Sequence, residues 1–326
     1  MRIAIIGRTE ILYNAAIQLE QAGHVVSCIL TAKEAPEYTC TAVDFKNLAE
    51  QWNISFAQGP RIVEHMDFLK ASKSDIAVSV NYTGIVPQEV VDLFPLGILN
   101  AHAGDLPRYR GNACQAWAIL NGEECIGLCI HRMIGGELDS GDIIARDYLA
   151  INLSTKVTQA WHWMVERTPQ LFVESIARLI TDPLYVLERQ SKNPADALRC
   201  YPRRPEDGRI EWGRSAIEVL RLINASNKPY FGAFCDCKGE KLIIWDAELV
   251  LDQERFCAIP GQITALTTEG YAEVAAKDGK LRLKLVEYKG IVGRPVGLAV
   301  TSLRDRLDTC RPAIADFSAT LPTVAS

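Results

Sequence analysis

The stretch RIAIIGRTEILYNAAIQLEQAGHVVSCILT, residues 2–31, decides the fold class. RIAIIG is a short, continuous apolar run ending at Gly7, the pattern of a parallel strand buried on both faces. ILYNAAIQLEQAG follows with helical spacing at Ile11, Ala15, Leu19 and Ala22 and stops at Gly23. HVVSCILT reads as the next strand. Strand, helix and strand within about thirty residues make a βαβ unit. The turn between them, GRTEIL, keeps only the first glycine of GxGxxG, which rules out a dinucleotide site there.

The alternation continues outward. FKNLAEQW predicts a helix near 44–53, DIAVSV a strand at 75–80, PQEVVDLF a helix at 87–94 and GILNAH a strand at 97–102. The fold class is therefore α/β, with a doubly wound, mostly parallel sheet. A helix (ACQAWAILNGE), a strand (GLCIHRM), a glycine-rich loop at 134–142, a strand (IIARDYLAI) and an amphipathic helix over 156–180 complete a domain at 1–182. Residues 183–202 hold three prolines and no period, and read as a linker. Short alternating strands, with DGK as a hairpin turn, predict a smaller β-rich, OB-like domain at 203–315. Small polar residues at 316–326 predict a disordered tail.

Net charge is -5, so a broad basic face for nucleic acid is not expected. The ten cysteines form no CxxC pair, which points to reduced, cytoplasmic cysteine and to no metal. The N-terminus turns polar after four apolar residues, and no run reaches membrane-spanning length.

The chemistry is read from NAHAGDLPRYRG, residues 100–111. Asn100 and His102 alternate on a strand and so share a face, at the strand end where open α/β sheets place ligands. An amide and an imidazole aimed at one point suit a developing oxyanion. Asp139 lies in the loop with Gly135, Gly136 and Gly141, where backbone approaches a ligand closely, and its carboxylate would orient the imidazole. Asn, His and Asp without a Ser or Cys nucleophile suggest direct attack by a substrate amine on an acyl donor.

These spaced motifs resemble the formyltransferase family that uses 10-formyltetrahydrofolate. The resemblance rests on NAH, LP-x-YRG, WAILNGE, Gly127, Met133 and DSG at 139–141, and continues through RRPEDGRIEW and PYFGAFCDCKGEKLIIWDAEL. It implies that Asn100, His102 and Asp139 are the catalytic residues and that 10-formyltetrahydrofolate is the co-substrate. It also implies a pterin lying against Ile85, Pro87 and Val90 and the loop at Gly135, Gly136 and Asp139. GDLP at 104–107, where many members carry SLLP, is similar to nucleotide-sugar N-formyltransferases. A nucleotide-linked amino sugar, used in surface polysaccharide (O-antigen) synthesis, is the expected acceptor. Arg108 and Arg110, beside Tyr109 and Gly111, suit a diphosphate.

The rival reading is a methionyl-tRNA formyltransferase. Those enzymes carry a basic insertion after the second strand, where TAKEAPEYTCTAVDF has one Lys against three acids. Residues 203–315 hold 18 Lys and Arg against 16 Asp and Glu, too balanced to track a nucleic-acid backbone. Hydrolysis of the formyl folate and a non-catalytic folate-binding module are weaker alternatives. The β-rich domain could supply a homodimer interface.

Overall fold

A computed structural model describes residues 1–251 and 254–308. The expected tail at 316–326 lies outside the described residues. The chain divides into two compact units. The first holds Met1–Arg204 and Asn224–Phe231; the second holds Pro205–Ile223 and the chain from Gly232 onward.

The first unit begins β1 (Arg2–Gly7), α1 (Glu10–Gln21), β2 (Val25–Thr31), α2 (Ala42–Gln51) and β3 (Ser55–Gln58). It goes on through α3 (Met66–Ala71), β4 (Ile76–Val80), α4 (Gln88–Val91), β5 (Ile98–His102), β6 (Arg110–Gly111) and α5 (Cys114–Asn121). β7 (Cys125–Arg132), β8 (Ile143–Ala150), α6 (Val157–Thr181) and β9 (Arg199–Cys200) follow. The main sheet runs β3-β2-β1-β4-β5-β7-β8. Its first five strands are parallel, and β7 and β8 add an antiparallel edge. The period of two along β1 sorts the layers. Ile3 and Ile5 pack with α1, α2 and α6, whereas Ala4 and Ile6 pack on the other face with α3 and α4.

Two expected elements changed shape. The helix near 44–53 starts earlier, at Ala42, because Thr41 and Asp44 form a capping box. The helix at 87–94 is a single turn after Pro87. β3 and α3 were not anticipated, being too short to show a period. Residues 183–202 contribute β9, which pairs with β6, and a bridge from Glu188 to Ile143.

The second unit contains α7 (Ala216–Ala225) up to Ile223, then β10 (Ala233–Cys237), β11 (Glu240–Leu249), β12 (Ile263–Leu266), β13 (Ala272–Ala275), β14 (Lys280–Tyr288), β15 (Ile291–Gly293) and β16 (Leu307–Asp308). The antiparallel path is β12-β13-β14-β11-β10-β16. A bridge from Gln262 to Arg306 returns β16 to β12, so the sheet closes into a barrel. At that seam a Cβ on Gly261 would sit 2.1 Å from the Leu307 carbonyl oxygen, so only glycine fits. Val219 and Ile223 of α7 pack with Leu242, Ile244, Leu281 and Leu283 in its core.

Candidate active site

β4 and β5 lie on the far side of β1 from β2 and β3, so the carboxyl end of the sheet opens at the switch point between β1 and β4. Asn100 and His102 stand at the end of β5, both nearly buried, at 9% and 7% exposure. His102 Nε2 donates to the Tyr109 carbonyl oxygen at 2.6 Å, and its Nδ1 faces Asp139 Oδ2 at 3.5 Å. Both ring nitrogens therefore face acceptors. Gly104 permits this closeness. A Cβ there would lie 2.3 Å from the Tyr109 oxygen and 2.6 Å from His102 Nε2.

Asp139 is held in left-handed backbone, at φ +50°, by the loop between β7 and β8. Its Oδ2 accepts from the Gly111 N–H at 2.9 Å. Gln190 clamps the loop by donating to the carbonyls of Asp139 (2.9 Å) and Gly141 (2.6 Å), while its own oxygen accepts from Arg110 at 2.8 Å. Burial by itself pushes the Asp139 carboxyl up. The facing His102, the hydrogen bond and charge of His131, and the Gly111 N–H outweigh it and hold the group well below the usual carboxylate range. The site thus keeps a fixed negative charge between two imidazoles.

The second imidazole, His131, was not anticipated as a site residue. It lies on β7 directly opposite Asn100. Its Nε2 is 3.2 Å from Asn100 Nδ2 and 3.5 Å from Asp139 Oδ1. Gln190 was also missed. The register of an antiparallel pair locates His131, whereas no periodic signal marks Gln190.

Cys114 Sγ approaches His102 Nε2 at 3.6 Å, which resembles a thiol–imidazole nucleophile pair. A hydrogen bond with Cys200, together with burial, raises the Cys114 thiol far above its ordinary value, so it stays protonated and is no nucleophile.

Two cavities meet at His102. One, about 300 Å³, is lined by Ile85, Asn100, His131, Met133 and Asp139. The other, about 210 Å³, is lined by Glu37, Tyr38, Gln115, Trp161, Arg203 and Tyr230. His102, Gly111, Asn81, Ala101 and Asn112 line both.

Of the expected pterin contacts, Ile85 lines the larger cavity. Val90 is wholly buried in the core, and Pro87 precedes α4. Gly135 and Gly136 dock the loop onto that segment, through N–H bonds to Gln88 Oε1 (2.8 Å) and the Val86 carbonyl (3.0 Å). Arg108 and the Tyr109 hydroxyl bind Glu123. Arg108, Tyr109 and Arg110 line neither cavity; Gly111 lines both. Among the described residues, no cluster of three or more His, Cys, Asp or Glu could hold a metal. Also among them, no helix is long and apolar enough to cross a membrane.

Residues 1–176 match the formyl transferase family, and residues 203–291 match the formyl transferase C-terminal domain. The chain belongs to the formyltransferase family. This formyltransferase is 30% identical over 295 residues to a methionyl-tRNA formyltransferase of Solibacter usitatus (strain Ellin6076), covering 89% of this chain and 92% of that one. It is 31% identical to a methionyl-tRNA formyltransferase of Clostridium tetani (strain Massachusetts / E88), over 74% of this chain and 77% of the relative.

Among solved structures, it is similar in fold to an N-formyltransferase from Helicobacter canadensis, in complex with folinic acid and dTDP-3-aminofucose. The TM-score is 0.62 at 18% identity, covering 86% of this chain and 98% of that chain. It is also similar in fold to HypX from Aquifex aeolicus in complex with tetrahydrofolic acid. There the TM-score is 0.61 at 19% identity, over 89% of this chain but only 44% of HypX. The protein is an enzyme of the folate-dependent formyltransferase kind.

Proposed function

We propose that the enzyme transfers the formyl group of 10-formyltetrahydrofolate to the amine of a nucleotide-linked amino sugar. The observation that carries the two-substrate reading is the pair of cavities joined at His102. A formyl donor seated beside Asn100 and an amine entering past Cys114 would meet at that imidazole. Asn100 and His102 donate to the oxygen that gains charge as the amine attacks the formyl carbon. For His102 this means exchanging its Tyr109 carbonyl partner for the substrate. Asp139 stays ionised and orients His102, and a water relays the amine's proton to N10 of the tetrahydrofolate, which leaves as the bond between N10 and the formyl carbon breaks. The larger cavity, between Ile85 and the Asp139 loop, is our donor site.

The acceptor cavity supports a hydroxylated ligand. Thr168 lines it and is 1% exposed, and among the described residues its hydroxyl has no hydrogen-bond partner. Gln115 and Tyr230 are joined by a 3.0 Å hydrogen bond at its wall. Arg203 is the cation lining this cavity, and we assign it the diphosphate contact, with Arg108 and Arg110 shaping the loop. Such a product fits surface polysaccharide synthesis and a cytoplasmic enzyme.

The names of the sequence relatives favour a second reading, methionyl-tRNA as acceptor. Purified enzyme with 10-formyltetrahydrofolate is offered initiator methionyl-tRNA and a panel of UDP-, GDP- and dTDP-linked amino sugars at one ionic strength. A formyl mass gain on one sugar, with the tRNA unchanged, is expected. Formylated tRNA with every sugar unchanged sinks the sugar assignment.

A further inference from the structure

We propose that Arg199 is a specificity-determining residue for the donor, its guanidinium taking a carboxylate of the glutamate that ends 10-formyltetrahydrofolate; this rests on the reading of the larger cavity as the donor site. Arg199 lines that cavity and is the one lysine or arginine among the described residues that do. It does not line the smaller cavity, where Arg203 stands. The acids of the larger lining are Asp139 and Glu137, and Glu137 already accepts from the Ser140 hydroxyl. A tail with two ionised carboxylates therefore meets one permanent cation there.

Other arginines near the site are engaged. Arg108 binds Glu123, Arg110 binds Gln190, and Arg146 binds Asp105 and Glu188. The Arg199 guanidinium has no hydrogen-bond or ion-pair partner among the described residues. Yet it is held. The Arg110 N–H donates to the Leu198 carbonyl at 2.8 Å and the Asn112 N–H to the Cys200 carbonyl at 3.2 Å, so β9 is pinned on either side of residue 199. The guanidinium carbon lies 5.4 Å from the centre of the Tyr201 ring, which supports the cation without using an N–H. Gly111 makes room, since a Cβ there would come within 3.3 Å of Arg199 Nε. The result is a supported fork of free N–H donors, the shape that suits a carboxylate. The p-aminobenzoyl group sets the glutamate well away from the formyl carbon, so its cation belongs toward solvent. Arg199 is exposed, whereas Asn100 and His102 are buried.

Calorimetry with two folates tests this without any acceptor. Folinic acid carries the glutamate. The N-methylamide of 5-formyltetrahydropteroic acid stops at the benzoyl amide and has no carboxylate. R199Q should bind folinic acid ~10-fold more weakly than the parent does, a loss between those of an exposed ion pair and a bidentate one. The two proteins should bind the amide within about 2-fold of each other, as expected for an exposed substitution that the ligand does not reach. Added salt should shrink the parent's preference for folinic acid over the amide.

R199Q at parental affinity for folinic acid, or an equal loss for both ligands, would overturn the proposal. So would a preference for folinic acid that salt leaves unchanged. Should the parent bind neither folate, the donor reading fails and this proposal falls with it. Tight binding of both folates that R199Q leaves untouched sinks only the role of Arg199.

Discussion

A crowded polar cluster in the barrel and one at the end of β5 are built on opposite plans. In the barrel, Lys280 is 4% exposed and its Nζ lies 2.7 Å from Glu254 Oε2 and 3.9 Å from Glu273 Oε2. Arg282 bonds Glu273 at 2.8 Å and Glu248 at 3.1 Å. Every charge there has an opposite charge beside it. At the end of β5, one carboxylate stands between two imidazoles, and the remaining partners are carbonyls, an amide and a thiol. That cluster opens onto two cavities. A closed network uses up its hydrogen-bonding capacity on itself and stabilises the fold. An open one keeps donors in reserve for a ligand, at some expense in stability.

The largest expected effect breaks the open cluster. Asn100→Ala, His102→Ala and Asp139→Ala should each lower kcat by ~10²–10³ or more, the loss typical of a removed oxyanion donor or its support. Circular dichroism should stay near that of the parent protein in all three, and melting temperature in Asn100→Ala and His102→Ala. Any one of the three turning over at close to the parent rate would remove that residue from the chemistry.

Breaking the closed cluster should do the reverse. Glu273→Gln leaves Lys280 and Arg282 each short of one partner, though Glu254 and Glu248 remain. A loss of about 2 kcal/mol in unfolding free energy is expected, below the cost of a wholly unpaired buried charge, with kcat unaltered. Denaturant unfolding and steady-state rates on one preparation decide it. A changed kcat at unchanged stability would erase the contrast between the clusters.

The smallest effect is one of pH. The Asp139 carboxyl is depressed in the folded protein, so its ionised form stabilises the fold. That contribution is fully present above the unfolded value, near 3.8, and is lost as pH falls through the lower folded value. Asp139→Asn should therefore be less stable than the parent at neutral pH, with the gap closing in acid below about pH 4. A gap that widened on acidification would mean that burial, not the two imidazoles, dominates the site.

What the sequence disclosed follows the range of the interactions involved. The βαβ pattern of residues 2–31 is local, and it fixes the layers. Asn100 and His102 share a strand, so a period of two was enough to pair them. Asp139 was reachable because glycines mark its loop. His131 escaped notice because its place depends on strand pairing across 31 residues, and HRM alone reads as core. Gln190 escaped because it works as an isolated clamp in a stretch without a period. The single turn of α4 shows the limit of periodicity itself. Its apolar residues, Val90 and Val91, are buried in the core, and four helical residues suffice to place them.

The Gln190 clamp bears on how the enzyme can be cut and rejoined. A graft that took residues 1–182 as a portable catalytic module would leave behind the side chain that holds the Asp139 and Gly141 carbonyls. It would also lose β9, the strand that pairs with β6. Segment 224–231 would go as well, and with it Tyr230, the partner of Gln115. The transplantable unit is thus discontinuous in sequence. A chimera that exchanges acceptor preference between relatives needs its joints at about 204 and on either side of 224–231.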